Sequence, residues 1–165
     1  MQNQPILDLP KTAAERWLDV GAWIFVAVNF ALALGYYPDL PETIPTHYNA
    51  SGQPDKFGPK ATIFLMPGIA FILAAGMVYL SKFPHKFNYL TKITPENAAS
   101  EYQRMRVLLR VVNALTSLLF LVVNWNTLQN ATGVSKGLGI EFFIVFIAVV
   151  IVPPFVLLGG QRKKA

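Results

Sequence analysis

Long apolar runs separated by short polar ones set the plan of this chain. Four runs extend from about Trp17 to Tyr37, Ala61 to Leu80, Val107 to Asn126 and Leu138 to Gly160. Each approaches the roughly 20 residues that a helix rising about 1.5 Å per residue needs to cross about 30 Å of hydrocarbon. A soluble helical protein interleaves charge at helical period to solvate one face, whereas here the charges gather between the runs. The pattern predicts an all-α membrane protein of four transmembrane helices, forming one membrane domain over residues 1–165 with helices at about 17–37, 61–80, 95–129 and 138–160. Trp17, Tyr36, Tyr37, Tyr79 and Trp125 fall at the ends of the runs, where amphipathic rings favour the headgroup layer.

Composition agrees. Hydrophobic residues make up 53% of the chain and charged residues 14%, against roughly 25% charged in a soluble domain, and the mean hydropathy is +0.41. Cysteine is absent, which removes disulfides, thiol nucleophiles and Cys-based metal sites. The net charge of +5 does not point to nucleic acid, because the Lys and Arg flank apolar runs, where topology and anionic headgroups account for them. The first sixteen residues are polar for too long to read as a signal peptide.

Eleven of the 14 Lys and Arg fall on one side: Lys11 and Arg16, then Lys82, Lys86, Lys92, Arg104, Arg106 and Arg110, then Arg162, Lys163 and Lys164. Lys56, Lys60 and Lys136 fall on the other. The positive-inside rule therefore places both termini and the middle loop in the cytoplasm. Thr94-Pro95-Glu96 reads as an N-cap, a proline at the first helical position and an acid at the positive end of the dipole. The third helix should then begin near Pro95 and project into the cytoplasm, with Arg104, Arg106 and Arg110 near the interface and Arg110 snorkelling. Ala27, Ala31 and Gly35 on the first helix are expected to face Gly68 and Gly76 on the second. Pro67 and Pro153-Pro154 should kink or loosen their helices.

The stretch 38–60 is long for a connection between neighbouring helices, where roughly two to eight residues is usual. Five prolines (Pro38, Pro41, Pro45, Pro54 and Pro59) restrict its backbone. Ser51-Gly52 and Gln53-Pro54-Asp55 are turn chemistry. A stiff, ordered extracytoplasmic loop follows, with Tyr48 and Phe57 buried against the helix ends.

Within this loop LPETIPTHYNASGQPDKFGPK resembles the signature of a bacterial membrane family known as domain of unknown function 1648. That signature runs LP, IPxH, an aromatic residue, N, xxGxPD, a further aromatic residue and K. Leu40, Pro41, Ile44, Pro45, His47, Tyr48, Asn49, Gly52, Pro54, Asp55, Phe57 and Lys60 match it. The later stretches ITPENAASEYQRMRVLLR and VNWNTLQNATG also resemble stand-alone members, so the likeness extends from about Trp17 to Gly139. A related domain forms the N-terminal part of the SdpI-type immunity protein, which protects a bacillus from its own killing-factor toxin and signals to a repressor. The resemblance thus implies a membrane module in the bacterial inner (plasma) membrane, of sensor or immunity type.

His47 has a sharp reading, as a metal ligand or proton sensor with Asp39, Glu42 or Asp55, and a bland one, as a hydrogen-bonded lock on the loop. Imidazoles titrate near neutrality, but one imidazole with carboxylates is thin for zinc, which takes three or four such ligands; no metal and no cofactor are expected. Asp55 can cap the turn after Pro54, Asn49 can hold loop backbone, and Lys60 can anchor the second helix at the interface. Asn29, Asn113 and Asn124 lie at membrane depth and read as helix glue, or as a transport path. Nothing assembles a nucleophile, base and oxyanion hole, so an enzyme is not expected.

The partner- or ligand-binding loop is therefore Pro41, Pro45, His47, Tyr48, Asn49, Gly52, Pro54, Asp55, Phe57 and Lys60, acting through its shape. The leading reading is action by protein–protein contact, as a sensor or immunity-type module or an accessory subunit, with the lipid bilayer and another membrane protein or a homo-oligomer as partners. A small transporter or lipid-handling protein is the alternative. The charge split makes a direct prediction. Cysteines placed at Ser51 and Ser100 in this Cys-free chain should differ, with an impermeant reagent on intact cells labelling only the former; equal labelling of both contradicts the orientation.

Overall fold

A computed structural model describes residues 4–159. Helix α1 spans Ala13–Tyr36 and starts from a reciprocal cap: Thr12 Oγ1 accepts the Glu15 N–H at 3.2 Å, and the Glu15 carboxylate accepts the Thr12 N–H at 2.7 Å. After a short 3₁₀ turn at Tyr37–Asp39 the chain forms strands β1 (Thr43–Tyr48) and β2 (Pro54–Pro59), then a second 3₁₀ turn, Lys60–Phe64. Helices α2 (Leu65–Leu80), α3 (Ala98–Ala131) and α4 (Ile140–Gly159) complete it. The segments Ala13–Asp39, Lys60–Leu80 and Ala98–Ala131 are long and apolar enough to cross a membrane, and Ile140–Phe155 is a shorter apolar helix. The chain is a helical membrane protein. It is not all-α, because the loop between α1 and α2 is an antiparallel two-stranded sheet.

Helix α3 is the centre, with α1, α2 and α4 each packed on it and β1 touching its far end. The buried residues of α1 (Glu15, Asp19, Ala22, Val26, Asn29 and Ala33) recur at alternating spacings of four and three, the period of a coiled-coil seam. The facing stripe of α3 is mostly polar and includes Glu101, Arg106, Arg110, Asn113, Ser117 and Asn124. With lipid outside, these side chains turn inward to find partners. Asn124 Nδ2 donates to Asn29 Oδ1 at 2.7 Å, and Asn113 Nδ2 lies 3.5 Å from the Ala74 carbonyl on α2. The expectation that these amides glue helices together matches this geometry.

At the opposite end from the sheet the sequence reading needs correction. Arg110 does not snorkel. It is 3% exposed, with Nη1 at 3.2 Å from Glu15 Oε1 and Nε at 3.1 Å from Asp19 Oδ1. Arg106 Nε stands 2.8 Å from Glu15 Oε1, its Nη1 donates to the Leu9 carbonyl at 2.8 Å, and Lys11 closes the cluster on Asp19 at 2.8 Å. Glu15 is fully buried. The pairs thus fall on the stripe that joins α1 to α3, where a lone charge would be costly.

Three further expectations shift. Helix α3 begins at Ala98 and not at Pro95: Asn97 Oδ1 accepts the Thr94 N–H at 2.8 Å and the Ala98 N–H bonds the Thr94 carbonyl, closing a separate turn before the helix. Ala27, Ala31, Gly35 and Gly76 are exposed, and Cβ atoms at Gly35, Gly68 and Gly76 would meet open space. The α1–α2 contact is made instead by Val26 with Ala70 and Ala74. Pro67 sits in the first turn of α2, where its missing N–H has no helical acceptor to lose. Pro153 and Pro154 lie inside α4, which runs on to Gly159. Arg162, Lys163 and Lys164, and the expected end of the last helix at Gly160, fall outside the described residues.

The cluster predicts a stability effect. Glu15→Gln keeps the cap acceptor but strips the shared anion from two buried guanidinium groups. It should cost about 3–5 kcal/mol, read as a large fall in melting temperature in detergent. Glu15→Leu combined with Arg106→Leu should recover much of the loss. A Glu15→Gln protein that melts with the wild type would show the pairing to be unimportant.

Candidate functional site

The sheet forms a roof over one end of the bundle. Its turn is built by Asn49, whose Oδ1 accepts from Ser51 N at 3.0 Å, Ser51 Oγ at 2.7 Å and Gln53 N at 3.0 Å. Gly52 closes it with φ of 77°, a conformation that side chains resist. The Gly52 carbonyl then accepts the Leu138 N–H at 2.8 Å, tying the hairpin tip to the α3–α4 connection. That connection is itself pinned from α3. Asn130 Nδ2 donates to the Gly137 carbonyl at 2.8 Å, and Asn126 Nδ2 donates to Glu141 Oε1 at 3.0 Å.

The inner strand β1 carries the docking. Ile44 and Pro45 are buried, and Ile44 joins Ala33, Leu40, Ile63 and Leu128 in one apolar cluster. The Tyr48 hydroxyl donates to Thr127 Oγ1 on α3 at 3.2 Å. Burial pushes the Tyr48 phenol above its ordinary value, because the phenolate is poorly solvated there, so it remains a donor. Phe57 is not buried, contrary to expectation; it is 61% exposed. The register is irregular on both sides of His47, leaving Thr46 on β1 and Asp55 on β2 without opposing residues. The docked positions fall on β1, and every residue of β2 is exposed or half-buried.

The remaining loop residues hold the hairpin's outer side. His47 Nδ1 and Asp55 Oδ1 lie 2.5 Å apart across the strands, both exposed. Asp39 and Glu42 do not share the pair. Among the described residues no group of three His, Cys, Asp or Glu side chains converges as a metal site would require. Lys60 pairs with Glu42 at 3.0 Å and lies 5.3 Å over the Tyr37 ring, clamping the hairpin base to the end of α1. Pro54 and Pro59 bound β2 and Pro41 precedes β1, places where a missing N–H does no harm.

Beneath the roof lies a cavity of about 540 Å³, within the range of small-molecule sites, roughly 300–1,000 Å³. Its ceiling is Ile44 to Tyr48, its back wall Val123, Asn124 and Thr127 on α3, and its flanks Ile63, Met66 and Phe142. Apolar groups dominate the lining, and Thr46, His47, Tyr48, Thr62, Asn124 and Thr127 are its polar residues. Leu65 on the rim is 57% exposed, so the cavity opens sideways at the start of α2. Of the ten loop residues singled out in the sequence, only Pro45, His47 and Tyr48 line it. The α2, α3 and α4 residues of its walls were missed, since nothing local separates them from other apolar positions in spanning runs. Asn124 was the visible signal, a polar residue at membrane depth.

Comparison with known proteins agrees with the loop signature. The model of the family described as domain of unknown function (DUF1648) matches residues 24–71, which takes in the second half of α1, the hairpin and the first turns of α2. An uncharacterized protein of Archaeoglobus fulgidus is 27% identical over 147 residues, covering 81% of this chain and 79% of that protein. No solved structure matches the chain.

Proposed function

We propose that this chain, whose residues 24–71 carry the DUF1648 domain, is a four-span plasma-membrane protein with both termini inside that binds a lipid-sized apolar molecule in the chamber under its outer hairpin. The observation that carries this reading is the chamber itself, about 540 Å³ of mainly apolar space held open between the hairpin, α2, α3 and α4. A chamber of this size on a rigid helix fits a binding or sensing role. Its lining offers no activated nucleophile or paired acids, and we propose no enzymatic step.

Four spans and cytoplasmic termini rest on the four apolar runs and the eleven basic residues gathered on one side. In that orientation the chamber lies at the outer leaflet. The buried ion cluster lies at the inner one, and the single helix α3 reaches both. Such a helix gives a bound ligand a rigid route to a cytoplasmic partner, which keeps the sensor and immunity-type readings within reach. The accessory-subunit reading would use the outward face of α4, where Ile144, Ile147, Val150 and Phe155 are exposed, but lipid covers such a face equally well.

Met66→Trp tests the proposal, because the larger ring fills the chamber from one flank. Native mass spectrometry of protein purified in mild detergent should show one retained lipid-sized molecule on the wild type. The variant should retain it at least about tenfold more weakly, a shift of roughly 1.4 kcal/mol. Equal retention by the two proteins would refute the site.

A further inference from the structure

A polar recess lies at the end of the bundle opposite the hairpin, separate from the chamber. It has a volume of about 210 Å³ and is lined by Asp8 and Lys11 before α1, Ser81 and Lys82 after α2, and Arg106 and Arg110 on α3. In the buried cluster Glu15 and Asp19 balance the two arginines. The charges left over in the lining are exposed: Lys11 and Lys82 against Asp8 alone. Lys11 already reaches Asp19. Lys82 makes no ion pair or hydrogen bond among the described residues, and its ammonium lies 5.9 Å over the Tyr79 ring. The carbonyls that end α2 do not use it, since Met77, Val78 and Leu80 accept from Ser81 N, Ser81 Oγ and Phe83 N. A recess floored by guanidinium groups, with one cation in excess, complements an anion.

A neighbouring feature fits the rest of such a ligand. Between α1 and α2 an open groove of about 410 Å³ is lined by Trp23, Val26, Ala27, Phe30 and Phe71, all apolar. Trp23 stands one turn beyond Asp19 on the same face of α1, and Asp19 is the residue that Lys11 holds at the recess. Along α2, the ten residues from Phe71 to Ser81 rise about 15 Å, half of a hydrocarbon core about 30 Å thick. Recess and groove therefore lie along one seam, spaced as a headgroup and an acyl chain are within a single leaflet.

We infer that this seam is a phospholipid site. The phosphodiester of an anionic lipid sits between Lys11 and Lys82 over the two arginines, and one acyl chain follows the groove past Trp23. A soluble phosphate would satisfy the recess but leave the groove without an occupant. Asp8 opposes the anion, so the two exposed charges of the lining that make no ion pair, Lys82 and Asp8, should act with opposite sign.

Two probes with the same chains separate the outcomes: dioleoylphosphatidylglycerol, which is anionic, and dioleoylphosphatidylcholine, which is zwitterionic. In titrations of the detergent-purified protein read by native mass spectrometry, the wild type should prefer the anionic lipid about fivefold or more, the worth of one basic residue near a headgroup. Lys82→Gln should bring that ratio close to one, and Asp8→Asn should raise it. Lys56→Gln, on the hairpin at the far end, should leave it unchanged. Ala27→Trp, which fills the groove, should weaken both lipids alike. All four substituted positions are exposed. Equal affinity of the wild type for the two lipids overturns the inference, as does a fall on Lys56→Gln equal to that on Lys82→Gln, which would show only diffuse attraction. Displacement of the anionic lipid by an equal concentration of inorganic phosphate assigns the recess to a soluble anion and overturns the lipid site.

Discussion

Polar side chains at membrane depth have to find partners inside the bundle, and in this protein that constraint falls on one helix. Helix α3 carries its partners in a stripe, and each neighbouring element is attached through it. Arg106 and Arg110 hold the start of α1, and Asn124 holds its middle. Asn113 faces a carbonyl of α2, Thr127 receives the hairpin tyrosine, and Asn126 takes the first turn of α4. Apolar contact supplies little preference between helix faces when the solvent is itself apolar. Directional bonds along α3 therefore specify which face each helix presents, even where each bond alone is worth under about 1 kcal/mol.

The two ends of α3 are built differently. At one end, charge is buried and mutually neutralised, and the N-terminal segment is drawn in by Arg106 on the Leu9 carbonyl and by the Tyr102 hydroxyl on the Pro5 carbonyl. At the other end the contacts are short hydroxyl and amide bonds around a space left open, with a hairpin as its lid. The asymmetry sets buried ion pairs at one end of α3 against an apolar cavity under the hairpin at the other.

Much of this was legible in the chain because composition and period report directly on helices in lipid. The apolar runs placed the helices to within a few residues, and Asn29 and Asn124 announced themselves as polar groups needing an interhelical bond. Turn chemistry at Ser51-Gly52 and the prolines indicated an ordered loop. Its strands were not legible, because Pro45, Pro54 and Pro59 argue against ladders, and only an edge-like hairpin with a bulge tolerates them. That β1 docks through Tyr48 while Phe57 on β2 stays exposed depends on which strand faces α3, which no local pattern reports. Glu15 and Asp19 were read past because they precede or begin the apolar run; their pairing with Arg106 and Arg110 depends on how far two helices overlap, which no local pattern reports. The chamber walls are illegible for a similar reason, since a cavity is a property of packing between elements remote in sequence.

The roof is the element on which the chamber depends, and hydrogen–deuterium exchange in lipid nanodiscs tests it most directly. The amides of Asn49, Gly52, Lys60 and Leu138 donate to Gln53, Asn49, Glu42 and Gly52 carbonyls, bonds that close the turn, the base and the tip of the hairpin. A docked roof predicts that these amides exchange at least about a hundredfold more slowly than unstructured chain, with Tyr48→Phe weakening the protection. Exchange at the unstructured rate across residues 43–59 would mean that the hairpin does not rest on α3, and that no chamber exists for a ligand to enter.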